Sequence, residues 1–76
     1  MEEGGDMMPL TLAEVEEENI IRKIGGKQEI KAHLEKLGFV VGGTVTVVSA
    51  AGGNVIVKVK DSRIAVSREM AQKIMV

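Results

Sequence analysis

Around Gly38 the apolar residues change their spacing, and that change fixes most of what this chain can become. Before it, Ile30, Leu34 and Leu37 fall at i, i+4 and i+7, the buried stripe of an amphipathic helix. After it, Val45 and Val47 alternate with Thr44 and Thr46, the period of a half-buried strand. The spacing predicts a helix over 27–37, with Lys27, Glu29, Lys31, Glu35 and Lys36 on its wet side. Lys27–Lys31 repels and Lys31–Glu35 attracts at i,i+4, so surface charge does little for the helix. Gly38 suits the left-handed residue that closes a helix, and Gly42-Gly43 reads as the hinge into the first valine strand.

The rest of the chain follows the shorter period. Asn19-Ile20-Ile21-Arg22-Lys23-Ile24 is rich in β-branched residues and stops at Gly25-Gly26, so it reads as one strand. Val55, Val57 and Val59 alternate with Ile56, Lys58 and Lys60, which predicts a hairpin with the Val45–Val47 strand across a turn at 50–54. Lys60-Asp61-Ser62 reads as a second tight turn before a strand carrying Ile64 and Val66. Ser67 is placed to cap one helical turn over 68–72, and Ile74-Met75-Val76 reads as a closing strand. Pro9 restricts its segment to a sheet edge or a lead-in. Residues 1–7 carry glycine and acid with little to bury and are expected to be a flexible tail, leaving 8–76 as the domain. Several short strands and one inserted helix predict an all-β fold, a small barrel whose closure hides its strand edges.

Composition narrows function by exclusion. With 76 residues there is room for one domain with a thin core. No cysteine is present, which removes disulfides and thiolate chemistry. Net charge is −1 and Phe39 is the single aromatic, so neither a phosphate-binding footprint nor base-stacking platforms are available, and no nucleic acid partner is expected. No apolar run reaches the ~20 residues of a membrane span, and the start MEEGGDMM is acidic where a signal peptide is basic. A cytoplasmic protein without membrane insertion is the expectation.

The chemical inventory is equally thin. His33 is the only histidine, and Glu29 lies one helical turn before it, so Glu29 and His33 are the candidate metal pair. A stable site usually takes at least three protein ligands, which favours a partly exposed histidine, at the margin of the apolar stripe, with a carboxylate nearby. The acids Glu14, Glu16, Glu17 and Glu18 lack the spacing of a calcium loop and read as a solvated turn. Met7, Met8, Met70 and Met75 read as gap fillers. No glycine pair belongs to a phosphate-loop motif, and no serine is paired with a histidine, so an enzyme is not expected and no cofactor is required. What remains is a surface for another macromolecule. Arg22 and Arg63, with Arg68, are placed to reach an acidic or phosphate-bearing partner. Phe39, Val40 and Val41, in the helix–strand junction, are the apolar candidates for contact. Phe39 has two exclusive uses there: a buried ring plugs the junction, and an exposed one meets a partner.

The ordered set MPLTLAEV (8–15), IIRKIGG (20–26), HLEKLGFVVGGTVTVV (33–48) and VIVKVKDSRIAVSREMAQKIMV (55–76) resembles the FeoA family of small ferrous iron transport proteins. Two loops depart from the family pattern. Val41 stands where a proline commonly precedes Gly42, and AAGGN (50–54) replaces a proline-containing loop. The resemblance implies an SH3-like barrel and an accessory role in ferrous iron uptake. It also implies a partner, the cytosolic GTP-binding part of the membrane iron transporter FeoB, and an association with Fe(II) or other divalent transition metals. A related domain ends the metal-dependent repressors, which implies direct iron(II) binding or metal sensing as the alternative.

Overall fold

In the computed structural model, which describes residues 7–76, the valine-rich segments pair as their alternation requires. In chain order the elements are a 3-10 turn (Leu10–Leu12), β1 (Glu18–Ile20), β2 (Lys23–Ile24), α1 (Gln28–Leu37), β3 (Thr44–Ala51), β4 (Asn54–Val59), β5 (Ser62–Ser67), α2 (Arg68–Ala71) and β6 (Ile74–Met75). The tail expected at 1–7 lies outside the described residues except for Met7. One antiparallel sheet runs β1-β3-β4-β5, and β2 pairs with β6 in a second. Val45 lies opposite Val59, Val47 opposite Val57 and Val55 opposite Val66, all buried, while Thr46, Lys58 and Arg63 share the other face. Leu10, Ile21, Leu34, Phe39 and Ile74 complete one core between the sheets and α1.

Mostly-β architecture is as expected, but the strands do not join into one closed barrel among the described residues. The expected strand over Asn19–Ile24 is divided, and its halves belong to different sheets. The physical cause is Ile21, which exchanges backbone bonds with the glycine hinge: its N–H donates to the Gly43 carbonyl and its carbonyl accepts from Gly42, both at 2.8 Å. Arg22 then donates to Met75 at 2.8 Å, carrying the chain into the second sheet. Ile20 is 55% exposed and Ile21 fully buried, so two adjacent, identical side chains have opposite environments. The turn expected over 50–54 shrinks to Gly52-Gly53, with β3 extended to Ala51 and Val48 accommodated at a register shift between Val47 and Ser49. A second, short helix stands where the capped turn was expected, and the Ser67 hydroxyl accepts from the Met70 N–H at 3.2 Å.

The junction read from the change of period is built from two standard closures. Gly38 takes φ 112°, its N–H donating to Glu35, and Phe39 donates to Leu34 at 3.0 Å. These are the paired bonds of a Schellman stop, which bring the residue after the glycine back over the last helical turn. Phe39 is thereby driven into the core, where none of its surface is exposed. Four residues on, Gly43 donates to the Val40 carbonyl at 2.9 Å and Gly42 has φ 92°, the geometry of a type II turn with Val41 at its second position. That position favours proline, and among the described residues the Val41 N–H donates to no acceptor. Val41→Pro is therefore expected to stabilise the protein by about 0.4–1 kcal/mol, by narrowing the unfolded ensemble. Urea unfolding followed by far-UV circular dichroism checks this; an unchanged or lowered midpoint would contradict the turn assignment.

Candidate functional site

The sequence-derived candidates fall into three separate places. Glu29 and His33 lie one turn apart on the exposed side of α1. Among the described residues no group of three or more histidine, aspartate or glutamate side chains could hold a metal ion, so this pair acquires no third ligand from the fold. Two groups alone on a solvated helix face leave a cation mostly hydrated.

The second place is the glycine hinge. Val41 is 64% exposed and Val40 is at the border of exposure, displayed by a turn whose base is pinned by Ile21. Arg22 is exposed and follows directly on Ile21, the residue whose backbone pins the turn, while its own N–H donates to Met75. Ile20, exposed at the end of β1, belongs to the same neighbourhood and was not singled out by sequence; only the division of the strand turns it outward. Phe39 leaves the list of contact residues, because its ring is buried beneath this turn.

Arg63 belongs to neither place. It lies on β5, at the opposite edge of the four-stranded sheet from β1. Lys58 stands directly across from it on β4, with Lys60 in the turn that joins the two strands. Their outer face is exposed and basic. This row was legible in principle, since a hairpin closed by Lys60-Asp61 sets Lys58 opposite Arg63. A concavity of about 370 Å³ lined by Met7, Lys23, Gly25, Gly26, Lys73 and Met75, among others, contains none of the candidate site residues.

No helix among the described residues is long and apolar enough to cross a membrane. These apolar and basic surfaces belong to a small, mostly β domain. Its fold is shared with part of longer chains. A manganese-dependent transcriptional repressor superposes with a TM-score of 0.87 at 13% identity, over 97% of this chain and 42% of that one. The crystal structure of ScaR with bound Cd2+ does so with a TM-score of 0.80 at 20% identity, over 90% of this chain and 33% of that one. At those identities the likeness is one of fold.

The sequence relationship is more specific. The FeoA domain family model matches residues 8–76, and the chain belongs to the FeoA family. A Methanocaldococcus jannaschii protein named "Putative Fe(2+) transport protein A" is 37% identical over 70 residues, covering 92% of this chain and 85% of that protein. The crystal structure of an iron uptake regulatory protein, FeoA, superposes with a TM-score of 0.84 at 26% identity, over 92% of this chain and 93% of that one.

Proposed function

We propose that this chain is a non-enzymatic accessory module of ferrous iron uptake, working in the cytoplasm by contact with the GTP-binding part of a FeoB-type transporter. The observation that carries the reading is the match to the FeoA domain over residues 8–76, joined to an Fe(2+) transport relative of nearly the same length. The geometry supports contact rather than chemistry, since the exposed Val40-Val41 turn follows a buried Phe39 and is pinned by Ile21, with the exposed Arg22 next in the chain. The same reading takes the two sheets as parts of an SH3-like barrel, supported by the single core to which both contribute. The test is a pull-down with the GTP-binding part of the cognate transporter, read together with GTP turnover. Capture that is lost in Val41→Asp with the fold intact is the expected result; no capture and no change in turnover would overturn the proposal.

Direct iron(II) sensing is the second reading, resting on Glu29 and His33 lying one turn apart on α1. Anaerobic Fe(II) titration followed by amide NMR decides it. Unmoved Glu29 and His33 signals at excess metal would exclude that pair.

A further inference from the structure

Among the described residues the four-stranded sheet keeps one long edge, β5, that no other strand covers. In the β4–β5 hairpin Val59 faces Ser62 across the two residues Lys60 and Asp61. A hairpin of that loop length exchanges both hydrogen bonds at the closing pair, and bonded and non-bonded pairs then alternate along the strands. Ser62, Ile64 and Val66 are therefore the residues bonded to β4, and Arg63, Ala65 and Ser67 aim their N–H and C=O groups away from the sheet. Among the described residues no strand pairs with that side of β5, and of those groups the Ser67 carbonyl is taken as the first acceptor of α2.

Exposed edges usually carry devices that prevent pairing: short length, proline, a bulge, charges on the edge or a charge pointing inward. Of these β5 has only the edge charge of Arg63. The opposite edge, β1, is short at three residues. β5 has six, SRIAVS, with no proline, an unbroken register against β4, and Ile64 and Val66 on its inner side. Its outer side is basic. Arg63 is opposite Lys58, an arrangement in which like charges destabilise the sheet, and Lys60 and Arg68 flank it. Asp61 and Glu69 are the acids that neighbour these four cations in sequence, leaving a positive excess along the strand. A second copy of the chain would set two such rows on one continuous face, which charge disfavours. A segment with acids on one face and apolar residues on the other meets Arg63 and Lys58 above, and Ile64 and Val66 below.

We infer that β5 receives an extended acidic–apolar segment of a partner protein as an added strand of the sheet. This rests on the interaction-module reading and adds a second contact to the one at the glycine hinge. The probe is a terminally blocked octapeptide of alternating Glu and Val, added to the isotopically labelled full chain. Amide exchange at Arg63, Ala65 and Ser67 is expected to slow by at least about tenfold at saturation, with the effect weakened by salt. Ala65→Pro removes an outward N–H without touching the β4 ladder, a placement an edge strand tolerates, and is expected to abolish the protection. Arg63→Glu is expected to weaken binding severalfold, and a Lys/Val peptide of the same length should leave the amides unprotected.

No protection in the unaltered chain would overturn the inference, and that arm stands even if Ala65→Pro fails to fold. Protection persisting in a folded Ala65→Pro would equally overturn it. Protection that grows with protein concentration without peptide would identify a second copy as occupant and overturn it too. Capture of Ala65→Pro and unaltered chain alike by the transporter's GTP-binding part would sink this inference while leaving the proposed function standing.

Discussion

Replacing Phe39 by alanine is expected to lower the melting temperature by at least about 12 °C, the shift that about 3 kcal/mol produces in a domain of this size. The ring is fully buried at the point where α1, the glycine hinge and the valine sheet meet. Truncation of a buried phenylalanine costs about 3–5 kcal/mol, through lost transfer energy and the cavity left behind. A chain of 76 residues commands only about 4–11 kcal/mol in total. The Schellman closure gives the site little freedom to collapse, because Phe39 is tied by its own N–H to Leu34. Phe39→Leu keeps most of the volume and is expected to cost about 1.5 kcal/mol or less. Far-UV circular dichroism is the suitable readout, since the chain has neither tryptophan nor tyrosine. If the alanine variant melted with the unaltered protein and lost only partner capture, the ring would be a contact residue after all.

The second large effect separates two neighbours. Ile21→Ala is expected to destabilise by about 2–5 kcal/mol, because Ile21 has no exposed surface and sits where the chain passes from one sheet to the other. Ile20→Ala, one position earlier and 55% exposed, is expected to change stability by no more than about 0.5 kcal/mol. The difference follows from pairing: Ile20 faces Thr44 on the sheet's outer side, while Ile21 bonds through its backbone to Gly42 and Gly43. Paired urea titrations of the two variants decide it. Equal costs would mean that the division between β1 and β2 is misplaced.

Where one residue's side chain alone decided its environment, the sequence was readable. The helix stripe of Ile30, Leu34 and Leu37, the alternation of Val45 with Val47 and of Val55 with Val57 and Val59, and the Ser67 cap all reappear in the structure. Gly38 was readable for the same reason, as few other residues accept its φ. What escaped depended on distant partners. Nothing within NIIRKI marks a break, because both halves are strands and their separation is made by Gly42, Gly43 and Met75. Ala50 and Ala51 read as turn by composition, yet they join β3 because Val55 and Asn54 pair with them. The acidic run was read as a solvated turn, and Glu16 does take φ 68°. What its composition could not reveal is that its backbone docks on β3, where Val15 bridges Val47 and Glu16 donates to the Val47 carbonyl. For the site, the chemical identity of Arg22, Val40 and Val41 was legible, whereas their separation from Arg63 required the strand order.

Met8 and Val76 exchange both backbone hydrogen bonds, at 3.0 and 2.9 Å. A pair bonded in that way has its Cα atoms only ~5.5 Å apart, so entry to and exit from the fold lie side by side. A domain built so can be spliced into a loop of a host protein, or have these two points tethered and be cut open at Gly52-Gly53, without stretching any strand. Portability of this kind is consistent with the same fold forming 42% of a repressor chain. It makes a circular permutant opened between Gly52 and Gly53, with Met8 and Val76 tethered, a practical test of that portability.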